Sequence, residues 1–210
     1  VSQPRTRTIV AFAGAALLVF VAAVAAVVTI AVHRAAEPQA RITAYANGKS
    51  ITVAPYVDCN VRMQDCKTLP ADSDVPLPPG LNCAAGGDGC HTGKSAELAV
   101  KPGLPLQLSL PKEISDGPWL GQTVYQAPNG KVLQKPIEHD DYTKGTTALT
   151  VPSVLYLTAD GKLAEKKPAA PSVTLMLVGT EIALPILIRD QTTGEEGYLP
   201  HAAWSISTAA

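Results

Sequence analysis

The sequence predicts an all-β protein, an antiparallel β-sandwich preceded by one transmembrane α-helix. Three observations point there. An uncharged, proline-free run, IVAFAGAALLVFVAAVAAVVTIAV, fills residues 9–32. After it come about nine short strand-like stretches separated by Gly, Pro, Asn and Asp turns. Nothing later in the chain repeats its apolar residues convincingly at helical spacing.

The apolar run makes a helix of about 36 Å at ~1.5 Å per residue. That covers a hydrocarbon core of about 30 Å with some tilt. It divides the chain into a tail at 1–8, a transmembrane helix at 9–32, a linker at 33–40 ended by Pro38, and a β domain at 41–207. A cleaved signal peptide is the competing reading, with Arg5 and Arg7 as its charged start and Ala23-Val24-Ala25 as a cleavage signal. The run exceeds the usual signal core of about 7 to 15 residues, which favours the anchor.

Arg5 and Arg7 precede the helix and no acid does, so the remainder carries a net charge of −3 with both signs interspersed. No basic stripe points to nucleic acid. Basic flanks orient spanning helices, but here Arg34 and Arg41 nearly balance the other end. The cysteines decide. Cys59, Cys66, Cys83 and Cys90 all follow the helix, in even number and in loop-rich sequence, as expected of an oxidising compartment. The expected location is therefore the cell membrane, single-pass, with a cytoplasmic N terminus and an extracytoplasmic body.

Within that body, Arg41–Ala46 and Lys49–Val53 flank Asn47-Gly48, a type I′ hairpin signal. That turn pairs Ile42 with Val53, Ala44 with Ile51 and Ala46 with Lys49, placing the first two apolar pairs on one face. A stapled insertion is expected at about 56–95. Cys59 with Cys66 and Cys83 with Cys90 form the simplest pairing of the three possible, each bridge contributing roughly 2 to 3 kcal/mol. Between the pairs, Pro70, Pro76, Pro78 and Pro79 predict an extended link without a ladder. Strands are then expected at 96–100, at 104–110 with Leu104, Leu106, Leu108 and Leu110 inward, and at 119–126 with 131–134 around Ala127-Pro128-Asn129-Gly130. A polar loop at 136–145 precedes strands at 146–151, 153–158, 173–178 and 182–188, and a closing run at 198–207. Pro105 predicts an edge, and Pro185 an edge or bulge.

Tyr56-Val57-Asp58-Cys59-Asn60-Val61 with Cys66, the run Pro102-Gly103-Leu104-Pro105-Leu106-Gln107-Leu108-Ser109-Leu110-Pro111, and Pro118-Trp119 resemble actinobacterial proteins carrying domain of unknown function 2771. The similarity covers the first half of the outer domain. It implies a single-pass or secreted envelope protein with an immunoglobulin-like fold, and it implies no activity. The segment with Cys83 and Cys90 departs from the family's pattern.

No chemical motif survives inspection. Gly93-Lys94-Ser95 has Asp88 where a phosphate loop needs glycine. Cys90-His91 has Gly87 where haem attachment needs cysteine. Six residues between cysteines is loose for zinc, so disulfides are favoured. Glu138, His139, Asp140 and Asp141 are more simply a solvated loop than a metal site, and Glu195-Glu196 a turn. Trp119, Tyr198 and Trp204 fit core or edge positions better than a ligand platform. No cofactor is expected. The expected role is a non-catalytic, membrane-anchored cell-envelope protein, an accessory or scaffold subunit contacting the bilayer and another envelope or membrane protein. The alternative is a lipid- or glycan-binding module, with an enzyme third.

Overall fold

The computed structural model describes residues 6–34, 39–67, 73–81, 93–137, 139, 148–189, 194 and 196–208. The chain divides into two compact units, 1–38 and 39–210. Helix α1 (Thr6–Arg34) forms the first. Its segment Gly14–Val32 has a mean hydropathy of 2.9 and buries none of it within the protein. Being apolar on all sides, it has no face reserved for a protein core, as a lipid-facing helix requires.

The second unit is built from β1 (Ile42–Ala46), β2 (Lys49–Val53), β3 (Val57–Asp58), β4 (Val75–Pro76), β5 (Lys94–Glu97), β6 (Leu106–Ser109), a single turn of helix α2 (Lys112–Ser115), β7 (Leu120–Gln126), β8 (Val132–Ile137), β9 (Leu149–Val151), β10 (Val154–Thr158), β11 (Leu163–Ala164), β12 (Ser172–Arg189) and β13 (Glu196–Ser207). They form two sheets, as a sandwich requires. The smaller runs β2-β1-β6-β9. The larger has nine strands, and β12 is its spine. One edge of β12 takes β10 along Ser172–Met176 and then β13 along Gly179–Arg189, while the other takes β7 along Met176–Ala183. Pairing is antiparallel except where Ala96 and Glu97 run parallel to Ile206 and Ser207.

The Asn-Gly hairpin has the register read from its sequence, Ile42 opposite Val53 and Ala46 opposite Lys49. Asn47 and Gly48 supply the two positive φ angles, 54° and 76°. The β7–β8 hairpin likewise turns at Ala127–Gly130, although β8 runs on to Ile137 instead of giving way to a loop at Pro136. Pro136 is tolerated because β8 pairs only with β7 and lies at an edge.

Four strand assignments differ from expectation. Thirteen strands are present among the described residues, and the unforeseen β3, β4 and β11 have two residues each. Leu106, Leu108 and Leu110 are buried, but Leu104 is 48% exposed. Leu104 closes the Lys101 turn through its N–H, and Pro105, which has no N–H, keeps the ladder from starting before Leu106. Strand β6 itself is central, between β1 and β9, so Pro105 marks its beginning and not an edge. The strand expected at 96–100 starts at Lys94 and ends at Glu97, after which Leu98 and Val100 are buried without a ladder. The two strands expected at 173–178 and 182–188 are one, with register shifts at Leu177/Gly179 and at Leu184/Pro185. Pro185 is thus a bulge position.

The main core lies between the sheets. Ile42, Ala44, Val53, Leu106, Leu108 and Val151 meet Tyr125, Leu155, Leu175, Ile182, Trp204 and Ile206 there. Trp204 donates its ring N–H to Ala40 O at 3.0 Å. A second cluster covers the opposite face of the larger sheet, where Tyr56, Leu77 and Leu81 pack on Val124, Ala183 and Ala203. Parts of the stretch expected to be an insertion therefore act as a cover for the sheet. Pro76 even holds a ladder position opposite Lys94.

That cover lies close to the backbone beneath it. A Cβ on Gly179 would stand 2.2 Å from Pro78 Cγ and 2.9 Å from Ile206 O. Gly179→Ala is expected to destabilise the chain by about 1 to 3 kcal/mol, the cost of overpacking. Gly117→Ala, where nothing lies within 4 Å, should stay within about 0.5 kcal/mol. Urea midpoints of the two variants check this.

Candidate functional site

The outer face of the larger sheet is only partly covered. Alternation along the pleat puts Leu120, Gln122 and Val124 of β7 on the same face as Glu181, Ala183 and, beyond, Leu187 of β12. Tyr56 and Leu81 cover the Val124 and Ala183 end. Past them the sheet continues uncovered, with Leu120 exposed, Leu187 59% exposed and Tyr198 71% exposed. At the margin of the cover lies a cleft of about 170 Å³, lined by Leu120, Gly121, Gln122, Glu181, Ala183, Pro185, Tyr198 and Pro200.

Among the described residues lining this cleft, Glu181 carries the one carboxyl. Tyr56 Oη donates to its Oε2 at 2.7 Å. Burial holds the Glu181 carboxyl above its ordinary value, and the Tyr56 bond opposes that in part. Burial and the neighbouring carboxylate push the Tyr56 hydroxyl well above its ordinary value, so it stays a neutral donor. Gly93 makes the arrangement possible, because a Cβ there would lie 2.3 Å from the Tyr56 ring. The cleft's described lining contains no serine, threonine, cysteine, lysine or histidine. It can hold a ligand by charge and apolar contact.

The residues singled out from the sequence have other places. Cys59 and Cys66 form a disulfide. It closes a loop in which the Asn60 side chain accepts from Arg62 N and Gln64 N, and Asp58 and Lys67 bridge just outside it. His201 Nδ1 lies 3.1 Å from Cys59 O, tying the loop to β13. Cys83 and Cys90 lie outside the described residues. So do Glu138, Asp140, Asp141 and Glu195. His139 packs 5.8 Å from the Trp119 ring and 3.2 Å from Ser115 O. No three metal-ligating side chains converge among the described residues. Gly93-Lys94-Ser95 is accounted for structurally: Gly93 under Tyr56, Lys94 paired with Asp74, and Ser95 buried against Ser205 at 2.8 Å. Trp119 and Trp204 are buried, whereas Tyr198 walls the cleft. Sequence reasoning missed Glu181, although it is the only charge between Ser172 and Ile188, in an otherwise apolar strand.

Two outcomes follow. Replacing Cys59 and Cys66 together by serine should lower stability by about 2.5 kcal/mol for a loop this short, read from urea midpoints. For Glu181, a carboxyl raised in the folded state has no ionisation penalty below its unfolded value. Stability relative to Glu181→Gln should therefore be best at low pH, fall as pH climbs above the ordinary Glu range, and level off beyond the raised folded value. Unfolding midpoints of both chains across that window test the sign.

The sequence is similar to known proteins over most of its length. Uncharacterized proteins from two strains of Mycobacterium tuberculosis and from Mycobacterium bovis are each 29% identical over 169 residues, 80% of this chain and 76% of theirs. No solved structure matches the chain. The model of a family described as "Protein of unknown function (DUF2771)" matches residues 35–209, so the likeness spans the β domain and not its first half alone. That match covers most of the chain, and the chain belongs to the DUF2771 family.

Proposed function

We propose that the chain is a non-catalytic, membrane-anchored protein of the cell envelope, with a cytoplasmic N terminus and an extracytoplasmic β domain that contacts another envelope or membrane protein. One observation carries the reading. The end of the β12–β13 hairpin exposes apolar side chains on both faces, Leu187 and Tyr198 on one and Ile188 on the other. Such a surface is costly to leave in water and fits a protein contact. The all-round apolar helix supports anchoring, and the Cys59–Cys66 disulfide supports an oxidising side of the membrane. The cleft at Glu181 favours a second reading, a β domain that binds a lipid or glycan of the envelope.

A photo-crosslinking residue at position 187 in intact cells tests the first reading. It should give a discrete crosslinked protein, absent when the probe is moved to Val173, an exposed apolar position elsewhere on β12. Leu187→Asp should change stability by no more than about 0.5 kcal/mol. A membrane-impermeant amine reagent should label the lysines of the β domain without lysis. Labelling only after cells are opened would reverse the orientation, and equal crosslinking from both positions would remove the contact.

A further inference from the structure

We infer that the cleft beside Glu181 is a binding site for a primary ammonium carried on a short apolar stem, seated between the Glu181 carboxylate and walls of Leu120, Pro185, Tyr198 and Pro200. Tyr56 occupies Oε2 of Glu181, and Oε1 has no hydrogen-bond partner among the described residues. Among the described residues, no cationic side chain meets the carboxylate there. The ion pairs among the described residues, Lys94 with Asp74 and Lys162 with Asp160, lie elsewhere. A carboxylate withdrawn from water is costly until a cation or strong donors match it. Glu181 is therefore a half-made interaction opening into a cleft.

The walls narrow the choice of cation. An apolar, aromatic surround suits a cation with carbon attached, since Tyr198 can meet it through its ring face while Leu120 and the prolines take the stem. Among the described lining residues, a metal ion would find one carboxylate and otherwise the weak Gln122 amide. A neutral hydroxyl would leave the charge unmatched. The volume of about 170 Å³ is many times the ~10–15 Å³ that admits one water, room for an ammonium on a short alkyl chain.

The probe is n-butylammonium, titrated calorimetrically into the full chain in phosphatidylcholine nanodiscs, with 1-butanol as its uncharged match. The ammonium is expected to bind at least about tenfold more tightly than the alcohol, the worth of a charge-assisted contact. Glu181→Gln should erase that preference. Equal affinity for the two probes, or no binding of either, overturns the site. The ratio is measured on the unaltered chain, so an unstable variant cannot hide the answer.

A free amine and an ethanolamine headgroup share this chemistry. Adding phosphatidylethanolamine to the nanodiscs separates them: competition with n-butylammonium assigns the headgroup, and unchanged affinity assigns the free amine. The site rests on the ligand-binding reading and not on the protein contact. A failed titration leaves the position-187 crosslink standing, and loss of that crosslink leaves the titration standing.

Discussion

The fold depends on burying a sheet that is apolar on both faces. Ala202, Ala203, Trp204, Ser205 and Ile206 are buried in succession along β13, which no one-sided sandwich sheet can achieve. Alternate residues point to opposite faces, so Trp204 and Ile206 go to the main core while Ala203 goes to the second cluster. The four-stranded sheet satisfies only one of these demands. The other falls to Tyr56, Leu77 and Leu81, in a stretch too rich in proline to make long strands.

The form of that second cover follows from its chemistry. A proline-rich segment cannot join a ladder along its length, so apart from the two-residue pieces β3 and β4 it lies on the sheet by side-chain contact. Contact at backbone distance needs the underlying side chain removed, and Gly179 under Pro78 and Gly93 under Tyr56 provide it. Backbone polarity is still satisfied at the edges. Tyr56 N donates to Ala203 O at 2.8 Å, Cys59 N to His201 O at 2.7 Å, and Leu98 N to Ser207 O at 3.0 Å. The Cys59–Cys66 loop sits where this cover first meets β13 and shortens the chain that must be ordered there.

Local signals in the sequence were legible wherever one residue type determines one geometry. Asn47-Gly48 set the turn and the register of the first hairpin, and Leu106, Leu108 and Leu110 showed their inward face by alternation. Signals that depend on distant partners were not. Gly179-Thr180 has the look of a turn between two strands, and only the proline lying on it shows why the glycine belongs inside one continuous strand. Tyr56 looked like a family marker near a cysteine loop, although its hydroxyl meets a carboxylate far along the chain. Glu181 carried a visible signal, a lone charge in an apolar strand, but its meaning required the cleft around it.

The same two-faced sheet explains why the candidate site lies where it does. The cover extends over Val124 and Ala183, then stops, and β12 and β13 run on to Arg189 and Glu196. At the limit of the cover the sheet passes from dry to wet over a few residues. A carboxyl there is buried enough to have its ionisation disfavoured yet open enough to be reached. Further out, at Leu187 and Tyr198, the surface has lost its cover but not its apolar character. The bulge at Pro185 marks the changeover, because it shifts the pairing of β12 against β13 so that Pro200 and Tyr198, not His201, face the cleft. One register shift therefore sets both the wall of the cleft and the apolar ledge beyond it, and the two surfaces cannot be altered independently at that position.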